Sequence, residues 1–432
     1  MFKAKSIILL ILAVVGATTF FWVGRFTAEP PRFEASAGDN IEQAWQDFIR
    51  AQNETLALMQ ATDFYGNDQE KAEAYRGVLY SLVGAIKSGA LLEHRQPRFA
   101  KSIDWTSKSG MDNPDNNYFV ALIDDDAEYR ISGTRGTTKN LIFQLVIGQP
   151  GVRDAGTSTT VSLLNDTEMH FEADGSYEIY VGPDNSSNHN NWLKTAPGAE
   201  ALLVRFSHSD WSTEQVGELD IELIGEEGIS APPLSTQAMA EKLRNTAVHQ
   251  YDRNATWLAY SKMILDMMPA NTIAKARSTK GGLVGQYSSL GNWDFGDDQA
   301  MIISVAPANS SYQSIVLSNL WFVSLDYESR TSSFTLDQAH KSNDGLYHFV
   351  ISHKNPGIQN WLDTESHQRG LINLRWQGMN GPLLDHQQPS ARMVPFKQLA
   401  KELPSDALGF DSGQRFEQIR ARRKALHKRF QG

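Results

Sequence analysis

Asn343–Trp376, NDGLYHFVISHKNPGIQNWLDTESHQRGLINLRW, decides the fold, because a second version of it lies upstream at Ala173–Phe206, ADGSYEIYVGPDNSSNHNNWLKTAPGAEALLVRF. Asp344–Gly345 falls on Asp174–Gly175, Tyr347 on Tyr177, and Asn360–Trp361–Leu362 on Asn191–Trp192–Leu193. Thr364 falls on Thr195 and Arg375 on Arg205, with single-residue slips between these anchors. Each copy has an Asp-Gly pair before an alternating run, which signals a tight β-hairpin because the turn needs positive φ. The shared order of hairpin, loop, Asn-Trp-Leu and strand implies one β-domain present twice.

Outward from the repeat, short β-rich runs punctuated by Asp, Asn and Gly fill both halves: YFVALID, NLIFQLVIG and ALLVRFSH in the first, and QAMIISVA, YQSIVLSNLWF and GLINLRWQG in the second. Strands at this spacing predict sandwiches or barrels. The fold class expected is mainly β with α segments, built as two jelly-roll-like antiparallel β-sandwich domains over residues 100–230 and 281–385. Helical periodicity is expected over 38–97, in a linker over 234–280, and in a basic tail over 394–432. In the first of these, Trp45, Phe48, Ile49, Leu56 and Met59, then Tyr75, Leu79, Leu82, Val83 and Ile86, recur at helical spacing as the inward face. The linker offers Leu243, Val248, Trp257, Met263 and Ile264 in the same role. The tail mixes Phe416, Ile419, Leu426 and Phe430 with a run of Arg and Lys, a pattern that suits either an anionic lipid surface or the acidic body of the protein.

Lys3 and Lys5 precede an uncharged apolar run from Ser6 to Gly24, and Arg25 follows it. A helix over that run is about 28 Å long at ~1.5 Å per residue, close to the hydrocarbon thickness of a bilayer. Residues 1–30 therefore read as a single transmembrane signal anchor and stalk, with the basic end cytoplasmic and the body on the exported side, periplasmic or extracellular. A cleaved signal peptide is the competing expectation. The chain of 432 residues has a net charge of −10, which disfavours nucleic-acid binding, and no cysteine, which excludes disulfides and thiolate chemistry. P-loop, dinucleotide, HExxH and GxSxG motifs are absent. No metal or cofactor is expected.

Within the repeat, Asp174, Asn191, Trp192, Arg205, Asp344 and Asn360 read as fold signatures. Each Trp plugs one end of a sandwich, and each Asn satisfies loop backbone groups. Arg205 and Arg375 lie within strands, where pairing with a carboxylate such as Asp210 or Asp363 is expected. Differences between the copies are more informative about function. Asp363 stands where the first copy has Lys194, and WFVSLDYESR brings Trp321, Asp326 and Arg330 close in sequence. If that run is extended, alternation puts Asp326 and Arg330 on one face. Trp321, Asp326, Arg330, Trp361, Asp363 and Arg375 are thus the candidate ligand-binding residues.

Several of these residues lie in longer motifs. AEAYR at Ala72–Arg76, DNPDNNY at Asp112–Tyr118, VSLDY at Val323–Tyr327, NPGIQNWLDTESHQRG at Asn355–Gly370 and LRWQ at Leu374–Gln377 together resemble the uncharacterised family known as domain of unknown function 1214. The resemblance spans roughly residues 40–380. Asn355 replaces the family's usual Asp, and Glu365–Ser366 interrupts its usual Thr-Gly step. The resemblance implies a jelly-roll-like sandwich and carries no established reaction. The expectation is a membrane-anchored exported module binding a polar, carbohydrate-like ligand. An envelope hydrolase using Asp326, Arg330 and Asp363, and a structural partner in a membrane assembly, are the alternatives.

Overall fold

Among the described residues, three helices precede or separate the β-regions, and each starts on a residue able to cap it. In the computed structural model, which describes residues 30–152, 158–278, 283 and 285–430, these are α1 (Ile41–Gln60), α2 (Asp68–Ile86) and α3 (Thr236–Met267). The side chains of Asn40, Asn67 and Ser235 accept from Gln43 N, Glu70 N and Ala238 N, satisfying backbone donors that the first turn leaves unpaired. The apolar run at 6–24 lies outside the described residues; among those described, no helix is long and apolar enough to cross a membrane.

The β-regions form two pairs of sheets that fit β-sandwich domains. The first uses β1 (Ala100–Ile103), β2 (Asn116–Leu122), β3 (Tyr129–Thr134), β4 (Asn140–Ile147), β5 (Thr159–Asn165), β6 (Ser176–Gly182), β7 (Trp192–Lys194), β8 (Ala199–Ser207) and β9 (Leu219–Leu223). The second uses β10 (Arg277–Ser278), β11 (Tyr287–Asp294), β12 (Gln299–Val305), β13 (Tyr312–Ser318), β14 (Ser333–Thr335), β15 (Tyr347–Ser352), β16 (Trp361–Asp363), β17 (Arg369–Gln377) and β18 (Ser390–Pro395). The five-stranded sheets have orders β1-β2-β8-β4-β5 and β10-β11-β17-β13-β14, and the four-stranded sheets β7-β6-β3-β9 and β16-β15-β12-β18. Strand for strand, the two halves share one topology. The last strand of the second half comes from 390–395, downstream of the predicted limit at 385.

Pairing is antiparallel except where the Asn-Trp-Leu strand lies beside its neighbour. β7 runs parallel to β6, and β16 parallel to β15. The long loop before each of these strands carries the chain back to the start of its neighbour, so the direction is preserved. The two turns predicted from Asp-Gly place Gly175 at φ 84° and Gly345 at φ 85°, conformations that a Cβ would strain.

Alternation explains how each sandwich fills. Along β8, Leu202, Val204 and Phe206 join Tyr129, Ile131, Phe143 and Ile179 in one core. Along β17, Ile372, Leu374 and Trp376 join Trp293, Ile303, Phe334 and Phe349 in the other. The opposite faces of β8 and β17 carry Leu203 and Arg205, and Asn373 and Arg375.

The helices correct part of the expected inward faces; Met59, Leu243, Val248 and Ile264 are buried as expected. Trp45 and Ile49 are 49% and 40% exposed, Tyr75 and Leu79 are 50% and 62% exposed, and Met263 faces solvent as well. Small residues are buried instead: Ala44 packs with Ala240 and Leu243, and Ala51 with Ala247 and Val248. Small side chains bring α1 and α3 close together, and the large residues are displaced to the next stripe. After α2 comes a π-helical turn, Lys87–Leu91. A Cβ on Gly89 would lie 2.7 Å from the backbone nitrogen of Thr246, so only glycine lets this turn seat against α3.

The tail forms α4 (Ser412–Phe430), which packs on the body of the protein. Arg422 stacks 4.5 Å over the Trp211 ring and donates to Tyr327 O and, at 2.9 Å, to Ser333 Oγ. Arg415 lies 5.1 Å over Trp361 and donates to Ile358 O. Leu426 is buried with Trp211 and Tyr327, whereas Phe416 is exposed. Guanidinium groups on aromatic faces, more than an apolar stripe, hold this helix.

Candidate functional site

The outward faces of the two five-stranded sheets, with α2, α3 and the π-helical turn, enclose a cavity of about 340 Å³. β2 and β8 contribute Asn116, Tyr118, Leu203 and Arg205, β11 and β17 contribute Ser288, Leu290, Asn373 and Arg375, and α3 contributes Arg253, Trp257 and Tyr260. Arg205 and Arg375, equivalent in the repeat, occupy equivalent register. Arg205 opposes Tyr118 on β2, and Arg375 opposes Ser288 on β11. Alternation turns both away from their own cores, and the apposition of the halves turns both toward one cavity.

Neither arginine has the carboxylate partner expected for it. Arg205 Nη1 donates to Gln144 Oε1 at 2.6 Å, and its Cζ lies 6.0 Å from the Tyr118 ring centre. Arg375 Nη2 donates to Met111 O, while its Nη1 is buried with no hydrogen-bond partner among the described residues. Arg253 donates from Nη2 to Gln149 Oε1 at 3.0 Å. Burial pushes the Arg253 guanidinium down to about 10 and lowers Arg205 as well. Burial raises the Tyr118 phenol, and the charges of Arg375 and Arg205 pull against that rise, so both guanidinium groups act on one ring. The aromatic wall is continuous: Trp257 stacks on Phe322 at 5.5 Å and meets Tyr260 edge-on at 5.7 Å. Lys87 is already held by Asp104 at 2.7 Å.

The DNPDNNY motif joins the halves below this cavity. Asp112 accepts from Ser324 N and Oγ at 2.9 and 2.7 Å. Asn113 Nδ2 donates to Tyr312 OH at 2.7 Å, and Asp115 accepts from that hydroxyl and from Trp211 Nε1 at 2.8 Å. Gln377 Oε1 accepts from Asn140 and Ser207 across the same joint. His208, bonded through Nε2 to Asn117 Oδ1 at 2.9 Å, is pushed down to about 2 by burial and then by the charge of Arg429. It stays neutral when folded but takes a proton when unfolded below its ordinary value of 6.5. With the folded value depressed, its stabilising contribution is present above about pH 6.5 and lost as pH falls, at ~1.4 kcal/mol per pH unit. Urea titrations at pH 7 and pH 5 are expected to show that loss, and His208→Gln to reduce it by one proton's worth. An unchanged pH dependence in the variant rejects the assignment.

Of the six predicted ligand-binding residues, only Arg375 lines the cavity. Trp321 is buried under the helices, edge-on to Phe64 at 6.0 Å. Trp361 is buried and donates from Nε1 to Ser352 O at 3.0 Å. Asp326, Arg330 and Asp363 do come together, in a partly exposed polar cluster away from the cavity. Residues 321–331 turn rather than extend, so Asp326 Oδ1 accepts from Glu328 N and Ser329 N, at 2.8 and 2.9 Å. Arg330 Nη1 pairs with Asp363 Oδ2 at 2.8 Å, and Asp363 Oδ1 accepts from Glu365 N at 2.9 Å. Asp363 is 6% exposed, while Lys194 at the matching position is exposed.

Among the residues read as fold signatures, Asn191 Oδ1 accepts from His170 N at 2.7 Å, and Asn360 Oδ1 accepts from His340 N at 2.7 Å. Asp174 and Asp344 accept from Ser176 N and Leu346 N at 2.9 Å, closing their turns. Trp192 is half-buried. Arg253, Tyr260 and Gln144 escaped the sequence reading, and Trp257 was expected only as an inward helix position, because no local spacing joins a helix in the linker to strands so far away. The usable signal was the recurrence of a strand arginine in both copies.

Fold and site together define a mainly β protein in which two like sheet pairs share one helix-roofed, arginine-bearing cavity. Residues 123–210, spanning the first-copy Asn191, Trp192 and Arg205, match the family described as protein of unknown function DUF1214. The crystal structure of an uncharacterized protein from Burkholderia cenocepacia is similar over 82% of this chain and 97% of its own, at 27% identity and a TM-score of 0.76. The VPA0106 protein from Vibrio parahaemolyticus aligns over 74% of this chain and 99% of its own, at 10% identity and a TM-score of 0.41. No curated protein matches the chain.

Proposed function

We propose that this protein is a small-molecule-binding module whose ligand occupies the cavity shared by its two sheet pairs. The carrying observation is that both copies of the repeat, with α2 and α3, line one cavity of about 340 Å³ containing aromatic walls and converging polar groups. Such concave sites, mostly apolar with a few placed polar groups, are the usual form of ligand pockets. The Asp326, Arg330 and Asp363 cluster favours a structural role over hydrolysis, since its carboxylates are committed to backbone donors and to Arg330. A ligand at a hundredfold excess over its Kd adds about 2.7 kcal/mol of stability. Thermal melts against sugars, alkyl acids and alcohols, and aryl compounds are expected to show a rise for at least one class in the wild type. Ser288→Trp, which fills the cavity from β11, is expected to remove that rise. No rise with any class, or an equal rise in the variant, counts against this site.

The apolar run at Ser6–Gly24, flanked by Lys5 and Arg25, supports a membrane-anchored protein with its body on the exported side. An alkaline phosphatase fused after Gly432 is expected to be active in cells, since that enzyme needs the oxidising side of the membrane. A full-length but inactive fusion rejects the placement.

A further inference from the structure

We infer that the cavity selects an amphipathic organic anion, an alkyl or aryl carboxylate, through Arg205, Arg253 and Arg375. This inference rests on the reading of the cavity as a ligand site. Three guanidinium groups of the described residues line the space, and none has an ion-pair partner among those residues; their hydrogen bonds go to the neutral Gln144, Gln149, Pro150 and Met111. Asp112 is the one carboxylate among the described lining residues, and it is already bonded to Ser324 N and Oγ. Lys87 brings its own counter-ion, Asp104, so it leaves the balance unchanged.

An enclosed cation without an anion is costly, and an anion bound beside it relieves that cost while gaining charge-assisted hydrogen bonds. A guanidinium also presents paired donors that match the two oxygens of a carboxylate. Arg375 Nη1 lacks any partner among the described residues, which leaves donor capacity on the guanidinium that comes from the second copy. The rest of the wall is apolar or aromatic: Trp257, Tyr260, Phe322, Leu203 and Leu290. That surface fits the body of an amphiphile and not a bare inorganic ion, whose hydration it could not replace. The repeat places one arginine from each copy near the Tyr118 ring, so the anionic group is assigned to that side and the apolar body to the Trp257 side.

Calorimetric titration of the full chain with two matched pairs tests this: decanoate with 1-decanol, and 1-naphthoate with 1-naphthalenemethanol. In the wild type, at least one acid is expected to bind with one-to-one stoichiometry about tenfold tighter than its alcohol. In an Arg205→Met, Arg375→Met double variant the preference for the acid over its alcohol is expected to be largely lost, Arg253 supporting what remains. The unliganded double variant is expected to melt no lower than the wild type, because uncompensated charges have been removed. Arg375→Lys, which keeps a cation, is expected to retain part of the preference. If the alcohols bind as tightly as the acids to the wild type, the cavity reading stands and the anion inference is overturned. If no member of either pair binds, the anion inference is overturned, and the cavity reading falls with it only when the thermal melts show no rise with any other class. A double variant that keeps the full preference for the acid removes the arginines from the role given them here.

Discussion

Asp115→Ala is expected to destabilise the protein by about 3–5 kcal/mol, the range for removing one partner of a buried charged network. Asp115 is fully buried and accepts from both Tyr312 OH in the second half and Trp211 Nε1 in the first. It also sits within the electrostatic reach of Arg429 and Arg422, from the C-terminal helix. Truncation therefore leaves the indole N–H and the phenol proton without acceptors and removes the carboxylate that faces two enclosed guanidinium groups. Burial raises the Asp115 pKa, against the pull of Tyr312, Arg429 and Trp211. Asp115→Asn keeps the shape and an acceptor for Trp211, so it is expected to cost less than half as much. The measurement is the urea midpoint at constant m-value. A loss under ~1 kcal/mol for the alanine variant excludes Asp115 as the joint between the halves.

Asn360→Ala is expected to cost on the order of 3 kcal/mol, since it strands several buried backbone groups at ~1–3 kcal/mol each before relaxation. Asn360 Oδ1 accepts from His340 N, and Nδ2 donates to His340 O at 2.7 Å and to His348 O at 3.3 Å. Asn191 makes the same set in the first copy, to His170 N, His170 O and Glu178 O. The backbone oxygen of each Asn also accepts from the neighbouring strand, Val350 N in one copy and Tyr180 N in the other. One side chain thus fastens an incoming loop to the strand beside which the Asn-Trp-Leu segment will run. Asn191→Ala is expected to cost a similar amount, and the paired variants to be additive, because the two sites share no partner. Denaturant melts of both single variants decide this. A cost below ~1 kcal/mol for either one means that water replaces the side chain and the motif has another purpose.

These two residues differ in how readily their roles could be read. Asn360 was legible because Asn191 repeats it: two copies of a buried polar residue at one point of one topology imply a need of the fold. The Asp-Gly turns were legible for a local reason, the positive φ of Gly175 and Gly345. Asp115 lies in a recognisable motif, yet its partners Trp211 and Tyr312 are distant in sequence, so its role required the folded chain. The helix faces were legible only in part, because large residues were expected inside. Trp45, Ile49, Tyr75 and Leu79 look like a core stripe, and Ala44, Ala51, Ala240 and Ala247 form it. The predicted ligand set, Arg375 apart, lies outside the cavity because nearness along 321–330 is not a pocket: a turn folds Asp326 onto its own backbone, and Arg330 neutralises Asp363.

By itself, then, the sequence determined the duplication, the β character of both halves, the turns and the Asn-Trp-Leu anchors, because alternation, turn chemistry and repetition are local properties written in consecutive residues. Only the tertiary structure decided where function is to be sought. Arg205 and Arg375 could be seen to correspond, but each alone reads as a strand residue awaiting a carboxylate. The apposition of two five-stranded sheets beneath α2 and α3 turns both toward one cavity and brings Arg253, Trp257 and Tyr260 to its wall. That convergence is a long-range packing result, fixed by which faces the halves bury against each other.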